Sequence, residues 1–167
     1  MDRNGRFRNV YAGSPTDAPW VGDLGEILFD RWLREDGRLS VEWNTTNVVG
    51  SADFNVNGQR VGLKTVKRAG QPKLSYTSCI SARHIDEPAD AFAFASYELA
   101  ERRLWILGVI HRDDFARLAE RFGPGEMVHA WYRVPDGHSI LNISNSELGD
   151  PLAWRTWVAE LPEETNQ

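Results

Sequence analysis

The chain has 167 residues, 41% of them hydrophobic and 26% charged, with a formal net charge of -5. That is enough chain for one domain with its own core, and the acidic balance excludes a protein that holds nucleic acid by bulk charge alone. The lone Cys79 excludes a disulfide framework and suits a reducing compartment.

No apolar run reaches the length of a membrane span, and the opening MDRNGRFRNV lacks the apolar stretch of a signal peptide, so a cytoplasmic protein is expected. Residues 1–20, rich in Gly, Pro and Asn, read as an N-terminal arm, and 21–167 as one domain. GDLGEILFDRWLRED places Leu24, Ile27, Leu28 and Trp32 at helical spacing, stopped by Gly37. LSVEWNT reads as a strand, SADFNVNGQRVGLKT as a hairpin, residues 66–73 as a loop and LSYTSCIS as a further strand. AFAFASYE and RLWILGVIH carry the strongest strand signals.

RDDFARLAERFG reads as a helix, acidic at its start with Gly at its end. MVHAWYRV and SILNIS read as a second hairpin around PDGH. The last helix opens at DPLAW, with Asp150 as N-cap and Pro151 at the first helical position. This order predicts an α/β (α+β) domain with a mixed central sheet flanked by helices. There is no Gly-rich phosphate loop or dinucleotide fingerprint.

Charge is unevenly spread. From Phe54 to Ile85 there is no Asp or Glu, while Arg60, Lys64, Lys67, Arg68, Lys73 and Arg83 all fall there, with His84 at the end of the strip. Such a strip can neutralise several phosphates on an otherwise acidic protein; the plainer reading is a solvated basic loop.

Asn57-Gly58 predicts a type I′ turn, because both central positions of that turn want positive φ. The register then pairs Val56 with Gln59, Asn55 with Arg60 and Phe54 with Val61, and sets Asp53 opposite Gly62. Alternation puts Ala52, Phe54, Val61 and Leu63 on an apolar face, and Asp53, Asn55, Arg60, Gly62 and Lys64 on the other. Asp53 and Lys64 are diagonal neighbours, about 8 Å apart. A carboxylate is a hard ligand for Mg²⁺, and an ammonium beside it can orient water and stabilise charge on a phosphate. More acid is needed, and Asp23, Glu26 and Asp30 fall on one side of the preceding helix. The plainer readings are a cross-strand salt bridge and a solvated helix face.

These segments together resemble the PD-(D/E)XK nuclease superfamily over residues 20–122. In that family a helix carries a Glu, a hairpin carries an Asp, and the next strand carries (D/E)-x-K, within an α-β-β-β-α-β core. The resemblance implies a restriction-endonuclease-like fold with residues 123–167 as an added hairpin and helix. It implies catalysis by Glu26, Asp53 and Lys64, and Mg²⁺ or Mn²⁺ held by Glu26, Asp53 and the carbonyl of Leu63. The implied substrate is DNA, with RNA as the alternative. Arg60, Lys67, Arg68, Lys73, Arg83 and His84 would meet the phosphates, and a homodimer would supply the two sites that a double-strand cut needs.

Gly62 departs from the pattern, standing where the family has an acid. Either another residue, such as Asp23 or Asp30, replaces that carboxylate, or the chain binds nucleic acid or a protein without cutting, or Gly62 is an introduced change. His84, His111, His129 and His138 lack metal-ligand spacing. Ser75, Tyr76 and Thr77 are placed beside Lys64, and Trp154 and Trp157 read as core or interface aromatics.

Overall fold

A computed structural model describes residues 20–45 and 51–161, so all of the expected arm except Trp20 lies outside the described residues. The first half of the chain contains α1 (Trp20–Arg34), β1 (Val41–Trp43), β2 (Phe54–Val56), β3 (Gln59–Arg68), β4 (Thr77–Ser81) and a 3-10 turn at Ala82–Asp86. The second half contains β5 (Ala91–Glu98), β6 (Arg103–His111), α2 (Arg112–Leu118), β7 (Glu120–Phe122), β8 (Met127–His129), β9 (Tyr132–Arg133), β10 (Ile140–Ser144) and α3 (Pro151–Ala159).

The central sheet has the order β1-β2-β3-β5-β6. Its first three strands form an antiparallel meander, β5 returns parallel to β3, and β6 turns back antiparallel. This is the mixed sheet flanked by helices that the element order predicts. A parallel return needs a crossover of a dozen or more residues, usually a helix. Here the crossover carries β4 and the 3-10 turn, where the resemblance implies an α-helix. β4 opens a second sheet, β4-β10-β7.

The Asn57-Gly58 turn has φ of 47° and 83°, and the ladder pairs Phe54 with Val61, Asn55 with Arg60 and Val56 with Gln59, as the turn chemistry requires. The Asn57 side chain also accepts from the Ser40 amide at 2.7 Å and donates to the Val158 carbonyl at 3.0 Å, tying the turn to α3.

Two cores lie on opposite faces of the central sheet. Phe29, Leu33, Phe54, Val61, Ala93, Trp154 and Val158 pack on the α1 face. Phe92, Phe94, Ile110, Phe115, Ile80 and Leu141 pack on the β4 face. Ala52, expected beside Phe54, packs with the β4-face core instead, because it precedes β2 and escapes the strand alternation.

The helical stripe of α1 is rotated from expectation. Val21, Gly25, Phe29 and Leu33 are buried, whereas Ile27 is 44% exposed. The reason is a close approach at Gly25: a Cβ there would run into Oγ1 and Cβ of Thr65 on β3. The helix therefore comes down on its smallest residue.

Two further expectations fail on long-range pairing. The helix expected through Phe122 ends at Leu118, because Glu120–Phe122 forms β7 against β10. MVHAWYRV and SILNIS do not pair with each other; Met127–His129 folds onto Tyr132–Arg133, and Ile140–Ser144 joins β4. The last helix begins as expected, with Asp150 Oδ1 accepting from the Leu152 amide at 2.8 Å and Pro151 in the first turn.

Candidate active site

β2 and β3 differ in length, and the difference creates a notch. The β2 ladder ends at Phe54–Val61, while β3 runs on to Arg68. α1 crosses the uncovered stretch at Thr65, and Asp53 caps its start. Asp53 Oδ2 accepts from the Leu63 amide at 2.6 Å, and the Asp53 carbonyl accepts from the Asn44 amide at 2.8 Å. Within a strand the amide and carbonyl of one residue point to the same side, so the Leu63 carbonyl is directed toward Asp53 as well. Glu26, one residue beyond Gly25, accepts from the Trp43 indole N–H at 3.0 Å.

Electrostatics tie these groups together. Burial pushes the Glu26 carboxyl up to about 7; the negative charges of Asp53 and Asp23 add to this, and the Trp43 hydrogen bond opposes it. Burial pushes Asp53 up to about 6; the Leu63 amide opposes that rise, Glu87 adds to it, and the positive charges of His84 and Lys64 hold it down. Two half-buried carboxyls thus stand close enough for one to disfavour ionisation of the other, with a lysine at hand. A desolvated pair of this kind has ionised forms that a cation would stabilise. Among the described residues, no group of three or more His, Cys, Asp or Glu side chains could hold a metal ion. Glu26, Asp53 and the Leu63 carbonyl are the oxygen donors that could serve as ligands.

Gly62 lies on the β4 face, and a Cβ there would sit 3.3 Å from the Phe92 ring. Neither Asp23 nor Asp30 is directed to that place. Asp30 pairs with Arg34 at 2.9 Å, one turn along α1, and Asp23 acts on the Glu26 side.

The pleat of β3 divides the basic strip. Thr65 meets α1, so Lys67 shares that face and is exposed, while Lys64 and Arg68 share the β4 face with Gly62. Arg60 forks onto Asp90, with bonds of 3.0 and 2.8 Å. The Arg68 guanidinium lies 4.7 Å over the Tyr76 ring and donates to the Thr77 carbonyl at 3.3 Å. Lys73 and Arg83 are exposed at the surface around β4, and His84 is 2.7 Å from Glu87.

Tyr76 and Thr77, expected with Ser75 beside Lys64, contact Arg68, and Ser75 is exposed. Cys79, Tyr132 and His129 are further members that the sequence does not announce. Burial pushes the Cys79 thiol up, against the positive charges of Lys64 and Arg68. Burial also pushes the Tyr132 phenol up, with Cys79 adding to the effect. His129 Nε2 lies 2.9 Å from Thr77 Oγ1. Their sequence signal is only an aromatic-rich segment, since contacts across some fifty residues leave no local mark.

No family model, curated protein or solved structure matches this chain. No helix among the described residues is long and apolar enough to cross a membrane.

Proposed function

We propose that this protein is a divalent-metal-dependent nuclease that hydrolyses DNA phosphodiester bonds. The observation that supports it best is the convergence at the β3 notch: Asp53 caps the Leu63 amide at 2.6 Å, Glu26 lies within reach of its charge, and Lys64 follows on the same strand. Glu26, Asp53 and the Leu63 carbonyl would hold Mg²⁺ or Mn²⁺, which when bound lowers the pKa of water and offsets phosphate charge. Leu63 and Trp43 fix the two carboxylates by hydrogen bonds, so neither must reorient on binding. Lys64, on the β4 face, orients a water or stabilises a phosphate oxygen. The proposed partners are DNA and a second copy of this chain, and the proposed location is the cytoplasm.

A second reading is a protein that binds nucleic acid without cutting, and Gly62 favours it. That position supplies no ligand, and the Phe92 ring stands 3.3 Å from where a Cβ would begin.

Nicking of supercoiled plasmid with Mg²⁺ or Mn²⁺, compared among the native chain, Asp53→Asn and Lys64→Ala, separates the two. Metal-dependent cutting that falls at least about 100-fold in both variants supports the nuclease. Cutting that both variants retain contradicts these roles. Salt-sensitive binding with no cutting by the native chain supports the second reading.

A further inference from the structure

The β8–β9 turn carries the most exposed large hydrophobic side chain among the described residues: Trp131, 79% exposed. Its ring is not a loose surface tryptophan. His129 stacks on it with ring centroids 5.3 Å apart and planes 27° apart, and Tyr132 flanks it at 6.3 Å. His129 is in turn anchored at 2.9 Å from Thr77 Oγ1. One face of the indole is thus backed by a positioned ring, and its exposure leaves the other face to solvent.

This platform is tied to β3 through β4. Thr77 holds His129, and Cys79, two residues on and on the same face of the strand, feels the charges of Lys64 and Arg68. Arg68 donates to the Thr77 carbonyl, and Arg133 next to Tyr132 is exposed and donates to the Gly125 carbonyl at 3.0 Å. Cations thus accompany the aromatic face, Arg68 through Thr77 and Arg133 beside Tyr132. Phosphates need the first and an unstacked base needs the second. A paired base has no free face to offer.

We propose that Trp131, backed by His129, is a stacking platform for an unpaired nucleobase, so that the protein takes single-stranded or flapped DNA in preference to intact duplex. This rests on the nuclease reading only for the polymer being DNA.

The test is anisotropy of a labelled single-stranded oligothymidine and of a labelled duplex of the same length, both in EDTA. The proteins are the native chain, Trp131→Ala and Trp131→Phe. Trp131→Ala should weaken single-strand binding about 10-fold and duplex binding less than about 2-fold, with Trp131→Phe close to native. Equal losses on both DNAs, no loss on either, or no single-strand binding by the native chain would overturn the platform. Loss of a dimer in Trp131→Ala would also overturn it, by showing that a second copy covers the ring. Trp131-dependent binding without any cutting would sink the nuclease and leave the platform standing; cutting with Trp131-indifferent binding would do the reverse.

Discussion

The two faces of β3 are built on opposite terms. Toward α1 the strand presents Val61, Leu63 and Thr65, and the helix closes on them through Gly25 with Phe29 fully buried behind. Toward β4 it presents Gly62, Lys64 and Arg68, with Asp53 at the margin and its carboxyl desolvated. Apolar burial stabilises the first face, whereas holding partly desolvated charge costs stability at the second. One strand therefore anchors the fold with one side and presents charge with the other, while Glu26 meets the charge of Asp53 from α1. Under the proposed function, that cost is offset when a cation binds.

Several substitutions would break or sharpen that contrast. The largest effect belongs to Phe29→Ala, which removes a fully buried ring 5.3 Å from Phe54 and should cost about 3–5 kcal/mol in urea unfolding. Gly25→Ala forces α1 away from Thr65 and should cost about 1–3 kcal/mol, with nicking reduced because Glu26 moves with the helix. The double variant Glu26→Gln, Asp53→Asn should move the other way. Both acids have folded pKa values, about 7 and about 6, above their ordinary 4.5 and 3.8. The folded state therefore keeps protons that the unfolded chain has released, and stability falls as pH rises from about 4 to about 7. Gln and Asn can still accept from Trp43 and Leu63, so the double variant should be about 2 kcal/mol more stable than the native chain at pH 8. A native-like pH dependence in that variant would place the titration elsewhere.

Gly62→Ala should change stability by less than about 1 kcal/mol, since its gain in strand entropy is offset by the Phe92 contact at 3.3 Å. Smallest of all, Arg60→Ala should hardly alter the salt dependence of DNA binding, because its guanidinium is committed to Asp90, while charge reversal at Lys67, Arg68 and Lys73 should lower the slope clearly.

What could be read from the sequence follows the range of the forces involved. The Asn57-Gly58 turn needs only its own φ angles, so it fixed the register that brings Asp53 to Leu63. The cap at Asp150 is equally local. The rotation of α1 was hidden because it depends on Thr65, some forty residues away, having room only for a glycine opposite. β7 was hidden because a ladder to β10 overrides its helical pattern. The candidate pair of Asp53 and Lys64 was legible through the hairpin. The wall of Cys79, His129 and Tyr132 was not, since it forms only when β4 folds against the β8–β9 turn.

The most direct test of the central claim, that the Glu26 and Asp53 carboxyls hold their charge for a cation, is the urea midpoint from pH 4 to pH 8 with and without Mn²⁺. The native chain should lose stability with rising pH in the absence of metal, and Mn²⁺ should restore it at pH 8, with neither effect in the Glu26→Gln, Asp53→Asn variant. A midpoint indifferent to Mn²⁺ at pH 8, or raised equally in both proteins, would contradict it.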